Sequence, residues 1–555
     1  MTNIRKIILL TFLFFINNEE GSAILPLPIN TDSNQFEQRQ RLEFEGIQRD
    51  SILNGNELQF HDNKLSDDLN AKCIDIKEIE LINDSVIFPK EILEITNHYK
   101  EQCLSIVAIK NITKEITNYY IKQGYITSQA FISEQDLSNY ILRIQVIEGR
   151  IESITIEDSP SRLVAMTFPN LTGSILNLRD IEQGLEQLNR STSARYTIDI
   201  QPGTKSGYSR VVIQKQASTL PLNSQLSLDN SGNKSTGKQL LTGNLTADSL
   251  LGLGEQWSFN ASTDTDFSRS HHSRYTVAAI NVPYGYWSYR YQFYRNNTLQ
   301  PFQASGQQYS YEGKNTNQQL DISRLIYRDG KQRLTLQGSL RHKNAKTQLA
   351  EQTLVISSPT LTSIMFSPQY TTMLGQGYFT LNPAAEWGIS AFGASQDFLT
   401  KDSPRSHYRK FSLSSSYQYY FSNGLTYLTS FYGQYSPDNL YGVERVSIGG
   451  QYSVRGYHEQ SLSGNRGGYW RNEMSKDIID TSLGQLRVVG ALDYGFIASD
   501  KYHVENGTLA GGAVGISLIS NNRFYSQLLF SKPLHYPSQL KPDNWSTYWS
   551  VSLSL

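Results

Sequence analysis

A run of apolar residues long enough to cross a bilayer as a helix is missing here. Mean hydropathy is -0.43 and hydrophobic residues make up 38% of the 555, whereas a spanning helix needs about 20 consecutive apolar residues. Charge of one sign is missing too: 50 Lys and Arg face 51 Asp and Glu, for a formal net charge of -1. A nucleic-acid binder would show a basic excess or stripe, so no nucleic-acid partner is expected. Cysteine is almost absent, with only Cys73 and Cys103, and neither their spacing nor their neighbours suggest a metal site. Catalytic signatures are lacking as well. There is no His-Glu-x-x-His and no Gly-x-Ser-x-Gly, and of nine scattered His only His271-His272 are adjacent. Residues 232–238 match most of a phosphate-binding loop, but Gln239 stands where Ser or Thr should hold magnesium, and the segment reads as a strand-to-strand hairpin. The expectation is a protein that is not an enzyme and holds no cofactor or metal.

Tyrosine and glycine are abundant: 34 Tyr, 23 Phe and 39 Gly. With an even charge balance this suits a transmembrane β-barrel, whose strands are apolar on one face only and carry aromatic girdles. From about Leu222 a two-residue alternation becomes sustained. Trp287, Tyr289, Tyr291 and Phe293 alternate with Ser288, Arg290 and Gln292. Phe411, Leu413, Tyr417, Tyr419 and Phe421 lead to Asn423-Gly424, a two-residue turn signal, and then to Leu425, Tyr427, Thr429 and Phe431. Asp329-Gly330 marks another hairpin, and a last strand sets Trp549, Val551, Leu553 and Leu555 against Ser550, Ser552 and Ser554. A soluble two-sheet sandwich would need a partner sheet to cover this many aromatic side chains, and lipid covers them directly. At about 20 residues per strand and turn, residues 218–555 allow roughly 16 antiparallel strands.

Arg5 and Lys6 precede an apolar run at 7–16, and Gly21-Ser22-Ala23 offers a cleavage site, so residues 1–23 read as an export signal; an uncleaved anchor is the alternative. Export brings Cys73 and Cys103 into an oxidising space, where they form either a disulfide or a buried free pair. Residues 24–53 are rich in Gln, Glu and Arg, with too few apolar positions (Phe36, Leu42, Phe44, Ile47) to bury a core face, which suits a helix in a wet lumen. Residues 54–70 read as a linker. Two small α/β units follow, at 71–149 and 150–217. In the first, Ile74, Ile76, Ile79 and Leu81 form strand positions, Pro89 opens a helix, a second helix runs over 109–123 to Gly124, and strands follow at 125–131 and 140–147. The second repeats the order: Ile151, Ile154 and Ile156, a helix around 178–188, then strands at 196–200 and 210–215.

Residues 444–473 place a fixed cation, in Val454-Arg455-Gly456-Tyr457, within a long loop. The run from Val443 to Gly449-Gly450 reads as a strand end, and Gly464, Gly467 and Gly468 as a return that folds the backbone back. Over 486–497 the alternation places Leu486, Val488, Leu492, Tyr494 and Phe496 on one face and Asp493 on the other. If the first face meets lipid, Asp493 lies in the interior.

The Val-Arg-Gly-Tyr tetrad, followed by Arg471-Asn472-Glu473 and Asp493-Tyr494-Gly495, resembles the outer-membrane transporters of two-partner secretion, the haemolysin secretion and activation proteins within the outer-membrane assembly barrel superfamily. Asp229-Asn230-Ser231-Gly232 and Leu250-Leu251-Gly252-Leu253-Gly254 resemble that family's first barrel hairpin, and Glu148-Gly149-Arg150-Ile151 resembles its polypeptide-transport-associated (POTRA) domains. The resemblance implies a 16-strand outer-membrane barrel plugged at rest by the N-terminal helix, with two POTRA domains in the periplasm. It also implies a Cys73 to Cys103 disulfide, and an inward loop whose Arg455 meets the Asp493-x-Gly495 strand. The implied partners are outer-membrane lipid and a secreted protein of the haemolysin, adhesin or contact-dependent toxin class, bearing an N-terminal secretion domain. A barrel-assembly factor and a passive porin are the rival readings. Leu555 departs from the aromatic residue with which such barrels commonly end.

Overall fold

The computed structural model describes residues 31–53, 73–82, 90–190, 193–218 and 220–554, apart from 305–306, 399, 401, 483, 503 and 521–522. The expected export signal (1–23), the start of the plug segment (24–30), the linker (54–70), Pro89 and Leu555 lie outside the described residues.

The first α/β unit comprises strands Cys73–Ile76, Glu78–Ile82, Gln102–Ser105, Gln129–Phe131 and Ile141–Ile147 with helices Lys90–His98 and Ile106–Lys122. In the second helix Ile109, Ile112, Ile116 and Tyr120 recur every three or four residues and all are buried, against Ile76, Ile79, Leu142, Ile144 and Val146. That helix starts three residues earlier than expected because the Ser105 side chain caps the Ala108 N–H, and it ends where Gly124 takes φ +94°. The strand expected over 125–131 shrinks to Gln129–Phe131, since Tyr125 and Ser128 bond back to Tyr120 and Tyr125 in a turn. Ile126 is drawn instead into the core of the second unit.

Cys73–Ile76 pairs antiparallel with Gln102–Ser105, and Cys73 is joined to Cys103 across a Cα–Cα distance of 5.3 Å. The closed loop of 30 residues contributes roughly 3 to 4 kcal/mol in the chain-entropy model. Its removal by Cys73→Ser and Cys103→Ser together is expected to lower the urea concentration at which this unit becomes protease-sensitive, while the second unit is unaffected.

The second unit packs strands Arg150–Ile156, Ala194–Pro202 and Tyr208–Ser218 against helices Arg162–Thr167 and Leu178–Asn189; the short first helix completes the repeat of the first unit's order, at a place no apolar period marks. In both units the opening strand of the three-stranded sheet pairs parallel with the last, and the remaining strand pairs antiparallel with that last one.

From Leu222 the chain forms one closed antiparallel barrel. Its 16 strands are Leu222–Asp229, Leu240–Asp248, Gln256–Asp264, His272–Tyr284, Trp287–Ala304, Gln307–Arg328, Gln332–Leu349, Thr360–Leu374, Gly377–Gly388, Arg409–Tyr420, Leu425–Tyr435, Gly467–Thr481, Gly484–Ile497, Gly507–Ser520, Phe524–His535 and Ser546–Ser554; the two-residue Gln352–Thr353 only folds back, antiparallel, on the end of the seventh. Outward positions are apolar and exposed, as at Leu492 (63%), Tyr494 and Phe496, whereas Asp493 is 3% exposed. Because the strand number is even, the barrel begins and ends on the side of the second unit, and loops after odd-numbered strands open on the far side.

The hairpin at Phe421 to Leu425 differs from the two-residue turn expected. Ser422, Asn423 and Gly424 form a three-residue connection, with Gly424 at φ +77° and the Phe421 N–H bonded to the Leu425 carbonyl. One left-handed residue after a right-handed turn matches strand twist as well as the two-residue form does.

The seam between first and last strands is short. Five residue pairs join them, from Asp229 with Ser550 to Gln225 with Ser554. Beyond the ladder the Asn230 side chain takes over: it donates to the Thr547 carbonyl at 2.7 Å and accepts from the Trp549 N–H at 2.8 Å.

Candidate functional site

Two elements fill the barrel lumen. The first is helix Thr31–Leu53, polar almost all round, so that water or protein polar groups can solvate every face. Gln38 donates to the Ser447 carbonyl at 2.8 Å, Arg41 to the Tyr469 hydroxyl at 2.9 Å, and Gln48 and Asn382 exchange hydrogen bonds at 3.0 and 2.9 Å. Arg49 reaches Gln418 and Ser416. The Arg41 guanidinium lies 3.4 Å from the Tyr432 ring centroid, and Phe36 stacks on Tyr294 at 4.6 Å. Beside the helix a cavity of about 1370 Å³ remains, running down to the second unit.

Helix, wall and loop share one ionic chain, buried at Glu444 and Glu386 and open to the lumen at Glu37. Lys343 Nζ lies 2.9 Å from both Glu37 on the helix and Glu444 at the base of the loop. Glu444 also meets Lys410, which lies 2.8 Å from Glu386, itself within 3.4 Å of Arg341. Three carboxylates and three cations alternate, so each buried charge has an opposite neighbour.

The second element is the loop after the eleventh strand, residues 436–466. The run expected to be a strand end is a 3-10 turn, Gly442–Glu444, followed by Val446–Ile448, which pairs with Leu462–Gly464 rather than with the barrel. Val446, Ser447 and Ile448 are all buried, as befits a segment with protein on both faces. Gly464, Gly467 and Gly468 do not reverse the chain; a Cβ on them would fall 2.4 to 2.5 Å from Ile497, the Phe496 carbonyl or the Tyr432 carbonyl. They let strands and loop approach. Left-handed backbone sits instead at Gly449, Gly450 and Gly456, with φ of +110°, +111° and +100°.

At the loop tip Arg455 makes a bidentate pair with Asp493, Nε to Oδ2 at 2.6 Å and Nη2 to Oδ1 at 2.8 Å, and its own N–H adds a third bond to Oδ2 at 3.1 Å. Arg455 Nη1 donates to Glu473 at 2.7 Å. Glu473 was missed as a partner, although a parity count was available: Trp470 and Met474 face outward, which turns Glu473 inward with Asp493. The Tyr457 hydroxyl points at the Ala510 and His535 carbonyls, at 2.6 and 2.5 Å, where a register shift has disturbed the ladder. Val454 lies against Gly495, where a Cβ would stand 2.8 Å from its Cγ2.

Gly511 is the tightest of these contacts, since a Cβ there would fall 1.7 Å from the Arg455 carbonyl oxygen. Gly511→Ala is therefore expected to unseat the loop, read as protease cleavage within 436–466, whereas Gly490→Ala, with nothing within 4 Å, leaves it protected.

Below the lumen, the second unit docks on the turns of the barrel. Glu186 pairs with Arg328, with Arg333 at 2.6 Å and with Arg190 at 2.9 Å; Tyr286 donates to Asp180; and the Gly285 N–H bonds the Met166 carbonyl at 2.8 Å. Burial alone would raise the Glu186 carboxyl, but Arg333, Arg190 and Arg328 hold it down at about 2, below the ordinary 4.5. A carboxylate depressed in the docked state stabilises that state above its undocked value and loses the contribution as pH falls through the docked one. Hydrogen exchange of helix Leu178–Asn189 should thus be unchanged from pH 7 to about 5, after correction for intrinsic rates, and rise as pH falls from 4.5 towards 2.

A closed barrel with a helix and an inward loop in its lumen and two α/β units at one mouth defines a transport barrel of the outer-membrane type. Comparison with known proteins narrows the class. Residues 207–518 match the family described as "Haemolysin secretion/activation protein ShlB/FhaC/HecB", 74–149 a "POTRA domain, ShlB-type" and 150–202 a "POTRA domain". The outer membrane transporter CdiB of Dickeya dadantii is 35% identical, over 95% of each chain. The hemolysin transporter protein ShlB of Serratia marcescens is 31% identical over 73% of this chain and 72% of its own. The solved structure of CdiB from Escherichia coli superposes with a TM-score of 0.90 at 35% identity, covering 96% of this chain and all of the other. The chain belongs to the haemolysin secretion/activation protein family.

Proposed function

We propose that the chain exports a large partner protein, of the haemolysin, adhesin or contact-dependent toxin class, across the outer membrane by two-partner secretion, with its POTRA domains in the periplasm and its aromatic belt in lipid. The observation that carries this reading is the way the lumen is filled. Apart from the ring contacts of Phe36 and Arg41, the helix is held by hydrogen bonds and ion pairs that water can replace, so it can leave, while the loop is locked to the wall through Arg455, Asp493 and Tyr457 and stays. A removable plug beside a fixed loop describes a gated protein channel. The POTRA sheets leave edge strands, among them Glu78–Ile82, Gln129–Phe131 and Ala194–Pro202. Such edges can take up an extended N-terminal secretion domain by β-augmentation. Folding of the partner outside would prevent its return, so the mechanism uses no nucleotide.

The test is export of a candidate partner encoded beside this gene, in cells carrying the chain intact or without residues 71–216. Partner in the medium with the intact chain alone supports both transport and POTRA capture. With an assembled intact barrel, failure of export overturns the reading for that partner.

A further inference from the structure

The turn between the second and third barrel strands, residues 249–255, is unlike the others on its side. The other six span two to four residues, and none holds two adjacent aliphatic residues. This one spans seven and exposes Leu250 (59%) and Leu251 (57%). Its shape is built from within. Glu255, fully buried, accepts the N–H groups of Leu251 at 2.7 Å and Leu253 at 3.1 Å, and the Trp257 indole N–H at 3.3 Å. Ser249, Gly252 and Gly254 adopt positive φ, and the Ser249 N–H closes the base on the Glu255 carbonyl at 2.6 Å. A flexible turn could fold its leucines away from water; this one is held with both turned outward.

We propose that this turn is an apolar finger lodged among the acyl chains at the periplasmic side of the bilayer. Continuity points to lipid as the occupant. Trp257, bonded to the organising Glu255, is itself an exposed outward residue, in a patch with Phe259 on its own strand and Leu245 and Leu222 on the two strands before it. The opposite side of the turn abuts the POTRA domain: a Cβ on Gly254 would stand 2.9 Å from Leu163. The finger thus fixes the height of the second POTRA domain against the membrane. The inference rests on the outer-membrane placement proposed above.

The experiment uses the full chain in lipid nanodiscs, with single cysteines at Leu250, Leu251, Leu492 and Lys331 carrying an environment-sensitive fluorophore. The native cysteines form a disulfide and leave no competing free thiol among the described residues. Labels at Leu250→Cys and Leu251→Cys are expected to be quenched at least about twofold by nitroxide-bearing lipid, as at Leu492→Cys, and to resist aqueous iodide that quenches Lys331→Cys. If Leu492→Cys escapes the lipid quencher, the barrel placement itself fails. If Leu492→Cys is quenched while both finger positions behave like Lys331→Cys, the finger is overturned. Shielding from iodide without lipid quenching means a protein cover and overturns the lipid assignment. Heat-modifiable gel migration reports folding of each variant, and either finger position alone carries the readout.

Discussion

Arg455→Ala is expected to yield a barrel that inserts and closes but exports its partner at least about tenfold less. Every ladder survives the substitution, because Arg455 belongs to none of them. What is lost is a three-bond contact with Asp493 and a fourth with Glu473. Removing one member of a buried ion pair typically costs about 3 to 5 kcal/mol, because the other charge is stranded. Here Asp493 and Glu473 both lose that partner, but Arg471, paired across the ladder from Asp493, stays beside them and Glu473 remains partly open to water, which lowers the figure. Asp493→Ala should impair export less than Arg455→Ala, since Arg455 keeps Glu473. Arg455→Lys should restore little, because an ammonium cannot reproduce the planar fork. Heat-modifiable migration scores assembly and partner in the medium scores export; export by all three variants at the level of the unsubstituted chain would sink the locking role of the loop.

Removal of residues 24–53 should convert a mostly closed channel into a steadily conducting one, with single-channel conductance raised by about an order of magnitude, since a helix with its side chains is about 10 to 12 Å across. The deletion takes away Glu37, leaving Lys343 to share Glu444 with Lys410. The emptied lumen therefore gains one positive charge at that point, and the open channel should shift towards anion preference, a shift that salt screens. Glu37→Gln in the full chain should raise the frequency of brief openings without changing the size of the fully open state. Unchanged conductance after deletion would mean that the loop, not the helix, closes the pore.

Much of this arrangement was legible because a barrel wall obeys a period of two. Asp493 could be placed inside and Leu492 outside by parity alone, and the hairpin from Arg409 to Tyr435 follows the aromatic pattern on both sides of its turn, with Phe421 drawn into the turn itself. Parity says nothing where a segment has protein on both faces, which is why Val446–Ile448 was misread as a strand end. It is equally silent on glycine. The same residue serves left-handed turning at Gly456 and close packing at Gly511, and only coordinates separate the two. The Lys343, Glu444 and Lys410 chain joins residues at least 34 positions apart, and no local pattern connects them. The Glu473 contact, by contrast, was available to the parity rule.

The short seam has a consequence for assembly kinetics. Asp229 and Ser550 lie more than 300 residues apart along the chain, and bringing them together costs roughly 3 kcal/mol more in loop-closure entropy than joining the ends of a ten-residue hairpin. Local hairpins form quickly while distant pairings wait, so the nascent barrel spends its longest time as a curled sheet with two unpaired edges, each a template for wrong pairing. The five-pair seam is late to form, and the Asn230 side chain, bonding Thr547 and Trp549, adds a catch at the far end of it. Weakening that catch would show first as slower ring closure and more aggregation during biogenesis, with little change in the finished cylinder.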